Sequence, residues 1–446
     1  MDAILILAAG QGTRMVSDLP KILHYLGGKA MIHHVLDAAL GVQSAEFEPQ
    51  IVAIISPALD ALTVKGGRAI HTAIQPKPLG SGDAVKAGLA VLSETPKTVL
   101  ILCGDTPLLE ATFLEEVIAS HKLRPSPCIT VVGMNVDAPN QYGRILSNEN
   151  GQIDRIIEYR DASNSERAIS LCNSGVIVAD GELLTRMVAK LAPQNEAHEY
   201  YLTDIVALAK DEGIPSWVVT FFPENLQGIN TRVDLASVTT QLQNRWRRRF
   251  MENGVTLVDP SSVYFSHDTK IGRDVTIHPN VTFGLGVSLG NGVTILPGCH
   301  IENSSLAHRV TVGPFAHIRE GTILGDDVVI GNFVEVKGTT IGAKTKAKHL
   351  SYLGNATIGE KVNIGAGTIT CNHNGFVKSQ TQIGDGAYIG SDSCLVAPVS
   401  IGSGAIVAAG SVVSTNVPDD ALAIARQRQE NKLEWASTFR NRYKRS

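Results

Sequence analysis

Aromatic side chains are scarce, 5% of 446 residues, and basic residues do not outnumber acidic ones: 39 Lys and Arg stand against 43 Asp and Glu, a net charge of -4. A nucleic-acid binder built on a cationic field and stacking platforms is therefore not expected, although local basic residues still suit small anionic substrates. Cysteine is sparse too. The six (Cys103, Cys128, Cys172, Cys299, Cys371 and Cys394) are scattered without a CxxC pair. That excludes the spacing of a zinc cluster or a dense disulfide framework and fits a reducing compartment. No apolar run is long enough to span a bilayer, so no membrane insertion is expected. The apolar opening Ala3 to Ala9 has no basic segment before it and runs into a glycine-rich loop, unlike a signal peptide. The expectation is a soluble, cytoplasmic protein.

What is present is length and order. A chain of this size exceeds a single core, and two domains fit best. In residues 1–230, β-branched runs (Ala3 to Leu7, Ile51 to Ser56, Ala69 to Gln75, Thr98 to Cys103, Cys128 to Asn135) alternate with helical patterns (Met31 to Leu40, Ser81 to Leu92, Thr112 to Leu123). That alternation predicts an α/β domain with a largely parallel sheet and ligands beyond the carboxyl ends of its strands. Residues 231–253 read as a polar linker helix. Its basic stretch, Arg245 to Arg249, is expected on a solvated face or at a subunit contact rather than on nucleic acid.

Residues 254–446 change character. Large apolar residues recur every sixth position: Ile271, Ile277, Phe283, Leu289, Ile295, Ile301, then after a slip Val312, Ile318, Leu324, Ile330, Val336, resuming at Ile358 and Ile364, and again from Ile383 to Val413. A small or β-branched residue stands two positions before most of them, and a glycine follows many, as at Gly290, Gly331, Gly365 and Gly390. Neither a strand nor a helix sustains a period of six; a parallel β-helix does, with the large residue in the lumen and about nine coils in all. Glycine is expected to relieve the corners. Two interruptions, Gly338 to Thr357 and Thr370 to Gln382, are where binding residues are expected. The charged tail from Ala425 is read as helical or loosely docked.

Directly after the first strand comes Leu7-Ala8-Ala9-Gly10-Gln11-Gly12-Thr13-Arg14-Met15, then Pro20-Lys21. Free backbone N–H groups and two cations there suit a triphosphate. No Gly-Lys-Ser/Thr follows, so it is not a Walker loop, and Met15 stands where a dinucleotide fingerprint needs glycine. Asp105 ends the apolar strand Val99 to Cys103 after a glycine, a suitable place for a hard cation.

The turn resembles the sugar nucleotidyltransferase signature LxxGxGxR followed by Pro-Lys. Together with the hexapeptide region, the chain is similar over nearly its whole length to the bacterial family of bifunctional N-acetylglucosamine-1-phosphate uridyltransferases and glucosamine-1-phosphate acetyltransferases. Leu79 to Gly82, Gly104-Asp105, Tyr142 to Ile145, Ile157-Glu158, Asn173 to Gly175, Glu199 to Asp204 and Gly228 to Asn230 carry the same likeness. The resemblance implies a Rossmann-like α/β nucleotidyltransferase domain followed by a left-handed parallel β-helix of hexapeptide repeats.

It also implies roles. Leu7, Ala8, Ala9, Gly10, Lys21, Gln75, Gly80 and Ser81 would hold UTP; Gly143, Glu158 and Asn173 the N-acetylglucosamine moiety; Asp105 and Asn230 Mg2+. Arg14 and Lys21 would neutralise phosphate charge during transfer. In the β-helix, His349 would be the general base for acetyl transfer, a task that suits an imidazole. Arg319, Lys337, Tyr352, Asn363 and Lys378 would bind glucosamine 1-phosphate. Ala366, Asn372, His373, Ser391, Ala409 and Arg426 would contact acetyl-CoA. A homotrimer with acetyl-transfer sites at its seams is implied in the same way. Gln11, Pro78, Cys103 and His373 depart from the family's usual residues. Two other readings stand beside this one: a monofunctional sugar-1-phosphate nucleotidyltransferase with a structural or regulatory β-helix, and an inactive scaffold of the same two folds.

Overall fold

The computed structural model describes residues 1–43, 47, 49–67, 69–137 and 139–444, to which all counts refer. The chain divides into two compact units, Met1–Gln243 and Asn244–Ser446.

In the first unit, the strand Asp2–Ala8 lies inside a nine-stranded sheet. Its alternate residues enter different cores: Ile4 and Ile6 pack on one side, Ala3 and Leu5 on the other. Burial of both faces explains the unbroken apolar run in the sequence. Along the sheet the main strands are ordered Ser216–Phe221, Ile129–Asn135, Leu171–Asp180, Thr98–Cys103, Asp2–Ala8, Pro49–Ile55 and His71–Ile74.

The sheet is more mixed than expected. Leu171–Asp180 runs antiparallel to both its neighbours. It is reached from Ile129–Asn135 through an antiparallel hairpin, Arg144–Ser147 with Ile153–Ile157, rather than a helical crossover, and a hairpin path reverses direction. Its register breaks between Asn173 and Ile177, opening the strand at Asn173-Ser174-Gly175. Asp2–Ala8 and Thr98–Cys103 are parallel neighbours with Leu7 opposite Cys103, so the glycine-rich turn and Asp105 leave adjacent strand ends.

The helix Arg232–Glu252 contains the boundary between the units. Its basic stretch is not uniformly solvated. Arg247 is buried and donates to the carbonyls of Val263 (2.9 Å) and Ser261 (3.2 Å), and Trp246 is buried beside it in sequence.

The second unit is a parallel β-helix of three sheets with ten, eight and eight strands among the described residues. The hexad residues fill its lumen, as Ile277, Ile295, Val312 and Ile330 do, fully buried; only Ile271, in the first coil, is half-buried. The first expected interruption does not exist. Strands Thr340–Ile341, Lys346–His349, Tyr352–Gly354 and Ala356–Ile358 continue the coils, with Ile341, Ala347 and Leu353 in the lumen. The period was hidden because two coils are one residue short, with Ile341 five residues after Val336 and Ile358 five after Leu353, and because alanine replaces a large aliphatic residue between Lys346 and Lys348. Thr339, Thr345 and Ser351 occupy the small positions there and donate to the carbonyls of Lys337, Gly359 and His349, which satisfies their buried hydroxyls. The second interruption is real: residues 372–380 leave the coil in a loop closed by an antiparallel bridge between His373 and Lys378.

The glycine after the lumen residue relieves a left-handed corner at Gly313 (φ 105°), but at Gly331 it has another purpose than the expected one. At Gly331 a Cβ would lie 1.8 Å from the carbonyl oxygen of Lys348 on the next coil, so close stacking of coils, not a left-handed turn, demands it. Left-handed backbone falls at other corner positions, including Phe315, Phe333 and Leu350. Gly331→Ala is expected to destabilise the β-helix by roughly 1–3 kcal/mol, the usual cost of overpacking. A thermal melt should register a loss of several degrees, and an unchanged melt would show that the coils separate freely.

Candidate active sites

Beyond the carboxyl ends of the parallel strands, the first unit encloses a cavity of ≈ 900 Å³. That is room for a nucleotide carrying a sugar. Its floor is the turn Leu7 to Arg14. Gly12 is left-handed (φ 62°), and a Cβ there would meet the Lys21 side chain at 2.5 Å, so glycine lets the lysine lie across the turn. Lys21 Nζ then donates to Asp105 Oδ2 (2.5 Å) and to Asn230 Oδ1 (3.2 Å). Arg14 donates to the same Asn230 oxygen (2.9 Å) and to Gln141 Oε1 (3.0 Å). Residues separated by more than two hundred positions thus converge on one point, with two cations and two hard oxygens. The backbone carbonyl of Asp105 receives Ile229 N–H, which brings the Asn230 loop to it.

Gln75, buried, donates to Gly80 O (3.0 Å) and Asp83 Oδ2 (2.9 Å), fixing its amide against the start of the helix Ser81–Leu89. Gly80 (φ 113°) has no room for a side chain, since a Cβ would lie 2.6 Å from Tyr200 O. Ser81 does not offer its hydroxyl oxygen freely: it accepts Leu202 N–H at 3.0 Å. Across the cavity Gly143 leaves a gap beside the Glu158 carboxylate, and the backbone N–H of Asn173 donates to Gly143 O (2.8 Å). Burial pushes the Glu158 carboxyl above its ordinary range, against the lowering effect of the hydrogen bond from Thr203 (3.1 Å). Cys103 lines the cavity, but burial, reinforced by the Asp105 charge, pushes its thiol up to about 12, so it is no nucleophile. Gln11 and Pro78 line it as well. Gln141 and Thr203, which hold Arg14 and Glu158, had no role in the sequence reading; both adjoin or lie within stretches that carried the family likeness.

In the β-helix, register organises the second set. Lys346, Asn363, Tyr388 and Ile406 are successive register partners on one face. Three residues further along each coil come His349, Ala366, Ser391 and Ala409, stacked along one corner. Backbone bonds tie that stack together: Asp392 N–H donates to Ala366 O and Gly410 N–H to Ser391 O. Arg426 lies beside Gly410, its Cδ 3.7 Å from where a Cβ would stand. The expected base therefore heads the column expected to hold acetyl-CoA. Asn332, unremarked in the sequence, is the register partner of His349 and accepts from its Nδ1 at 2.8 Å. With Nδ1 as donor, Nε2 is the acceptor atom of the ring.

Around the corner, Arg319 and Lys337 are register partners, and Tyr352 pairs with Glu335. Arg319 bridges Glu335 (2.7 Å) and Glu320 (3.0 Å), while Lys337 reaches Glu320 at 3.2 Å. Lys337, with lesser help from Arg319 and Lys378, holds the Glu320 carboxyl below its ordinary range. Three of the expected sugar-phosphate cations thus share one carboxylate. Asn363 is not with them: it lies on a different face of the solenoid. Asn372 is buried and donates to Asn355 Oδ1 (2.6 Å), anchoring the 372–380 loop, whereas His373 is exposed.

A phosphate-type turn and a carboxylate at adjacent strand ends of a Rossmann-like sheet, followed by a hexapeptide solenoid, define the class: a nucleotidyltransferase joined to a hexapeptide acyltransferase. Residues 4–150 match the MobA-like NTP transferase domain, residues 253–346 the GMPPB C-terminal domain, and residues 380–415 the bacterial transferase hexapeptide, six repeats. The chain is 44% identical to the bifunctional protein GlmU of Paramagnetospirillum magneticum, with 98% of this chain and 96% of that protein covered. It is 42% identical to that of Zymomonas mobilis (99% and 98% covered) and 40% identical to that of Brevibacillus brevis (97% and 96%). It belongs to the GlmU family of bifunctional proteins.

Proposed function

We propose that the chain acetylates glucosamine 1-phosphate with acetyl-CoA and then transfers UMP from UTP to the product, releasing pyrophosphate and UDP-N-acetylglucosamine. The observation that carries this reading is the convergence of Arg14, Lys21, Asp105 and Asn230 at the mouth of the glycine-rich turn. A phosphate oxygen of N-acetylglucosamine 1-phosphate attacks the α-phosphorus of UTP, a new P–O bond forms, and the bond to the pyrophosphate leaving group breaks. The attacking group is already an anion, so no protein base is needed; the work is positioning and charge neutralisation, to which Arg14 and Lys21 contribute. Leu7 to Gly10, Gln75, Gly80 and Ser81 hold the nucleotide, and Gly143, Glu158 and Asn173 the sugar.

Asp105 and Asn230 fit Mg2+: their side-chain oxygens already turn to one shared cation, the Lys21 ammonium, and a hard ion that keeps most of its waters needs few protein oxygens. When bound, Mg2+ supplies further neutralisation of phosphate charge.

In the β-helix, His349 takes a proton from the glucosamine nitrogen as it attacks the thioester carbonyl. The C–N bond forms, the C–S bond breaks, and coenzyme A leaves as the thiol, taking up the proton that His349 received. Arg319, Lys337, Tyr352 and Lys378 hold the sugar phosphate; Ala366, Asn372, His373, Ser391, Ala409 and Arg426 line the path of acetyl-CoA. The separation of Asn363 from the Arg319 column supports a site completed between copies of the chain, as in a homotrimer. So does an exposed apolar ridge next to His349, formed by Leu350 and the stacked rings of Phe315 and Phe333 (5.5 Å). Among the described residues no helix is long and apolar enough to cross a membrane, and a cytoplasmic location follows from the substrates.

The test is pyrophosphate release from UTP, Mg2+ and glucosamine 1-phosphate, with and without acetyl-CoA. Release should depend strongly on acetyl-CoA. Equal release without it would reduce the β-helix to a scaffold.

A further inference from the structure

On one face of the β-helix, His300 and Glu302 flank the lumen residue Ile301, so both project outward. His317 is the register partner of His300 on the next coil and likewise precedes a lumen residue, Ile318. The two imidazoles meet edge to face with centroids 5.2 Å apart. The Glu302 carboxylate reaches both: one oxygen stands 3.8 Å from Nε2 of His300, the other 3.9 Å from Nε2 of His317. All the ligand atoms lie within 4.8 Å of one another.

These separations are too long for hydrogen bonds. Nε2 of His317 is shielded from solvent and has no hydrogen-bond partner. An unsatisfied buried nitrogen is costly, and a bound cation would satisfy it. Burial, then the nearby His300 and Arg319, hold the His317 pKa below its ordinary value, which keeps the ring neutral and able to ligate.

We infer that His300, Glu302 and His317 form a binding site for a divalent transition-metal ion such as Zn2+, adjoining the Arg319 end of the proposed sugar-phosphate site but using none of its residues. Two imidazoles and a carboxylate are the donor set that borderline metals prefer over Mg2+ or Ca2+. Tetrahedral zinc with bonds of about 2.0–2.1 Å sets its ligand atoms roughly 3.3 Å apart, so the carboxylate–imidazole pairs need to close by about 0.5 Å and the widest pair of the three by up to about 1.5 Å. The side chains are 41–46% exposed and free to adjust. The other such grouping among the described residues, His121, Cys128 and Asp180, is committed elsewhere. There His121 Nδ1 bonds Thr130, the Asp180 carboxylate accepts from Cys128 N–H and Ser126, and burial pushes the Cys128 thiol up to about 11.

Equilibrium dialysis of the full chain against Zn2+, with Co2+ absorption as a second readout, tests the site. The unaltered protein should retain one more equivalent per chain than His317→Ala or Glu302→Gln, and the Co2+ ligand-field bands should disappear in both variants. Uridylyl transfer and the metal-free melting temperature should not change in either. Glu302→Gln carries the test should His317→Ala fold poorly. The same stoichiometry and the same bands in all three proteins would overturn the proposal.

Discussion

Arg14→Ala is expected to lower uridylyl turnover by about 10²–10³-fold, the range seen when one preorganised donor to developing charge is removed. The guanidinium is exposed, and its two partners, Gln141 and Asn230, are neutral. Its loss therefore leaves no unpaired buried charge, and the fold should survive. Asn230 also keeps its bond to Lys21. Steady-state pyrophosphate release read beside a thermal melt separates the two effects. Acetyl transfer, which depends on residues of the other compact unit, serves as the internal control. Near-normal turnover would remove Arg14 from the proposed chemistry.

For His349→Ala, the expectation is a fall in thiol release from acetyl-CoA of about 10²–10⁴-fold, the range for loss of a positioned general base. Uridylyl transfer to already acetylated sugar phosphate should be unchanged. His349 is exposed, and its one side-chain bond is to Asn332, so structural damage should be small. Without the base, the reaction needs amine that is already deprotonated. Residual activity should therefore climb with pH, following the free amine of the substrate. Unchanged acetylation at neutral pH would exclude the role.

The two sites differ in how much of their logic was legible in residue order. The glycine-rich turn could be read because its requirement is local: Gly12 must be left-handed, and Lys21 follows within one short loop. That Asn230 joins Lys21 and Arg14 depends on a chain path that returns after the whole sheet is built. Gln141 could be found only in that geometry. In the solenoid the reverse holds. Period six specifies the stacking of coils, so the column His349, Ala366, Ser391 and Ala409 is fixed by counting once the register is known. What misled the count was a pair of one-residue slips, before Ile341 and before Ile358, together with Ala347, where the lumen takes a small residue and the coil continues regardless.

The sequence by itself determined the two architectures and the membership of the family, because a strand buried on both faces leaves an unbroken apolar run, a buried hexad position leaves a period of six, and the family's motifs are local runs of residues. Tertiary structure alone decided the antiparallel insertion of Leu171–Asp180, the true purpose of Gly331, the hydrogen-bond partners of Arg14 and His349, and the meeting of His300, Glu302 and His317. Each of those depends on which coil or strand lies alongside another, and contacts between residues far apart in sequence leave no period behind.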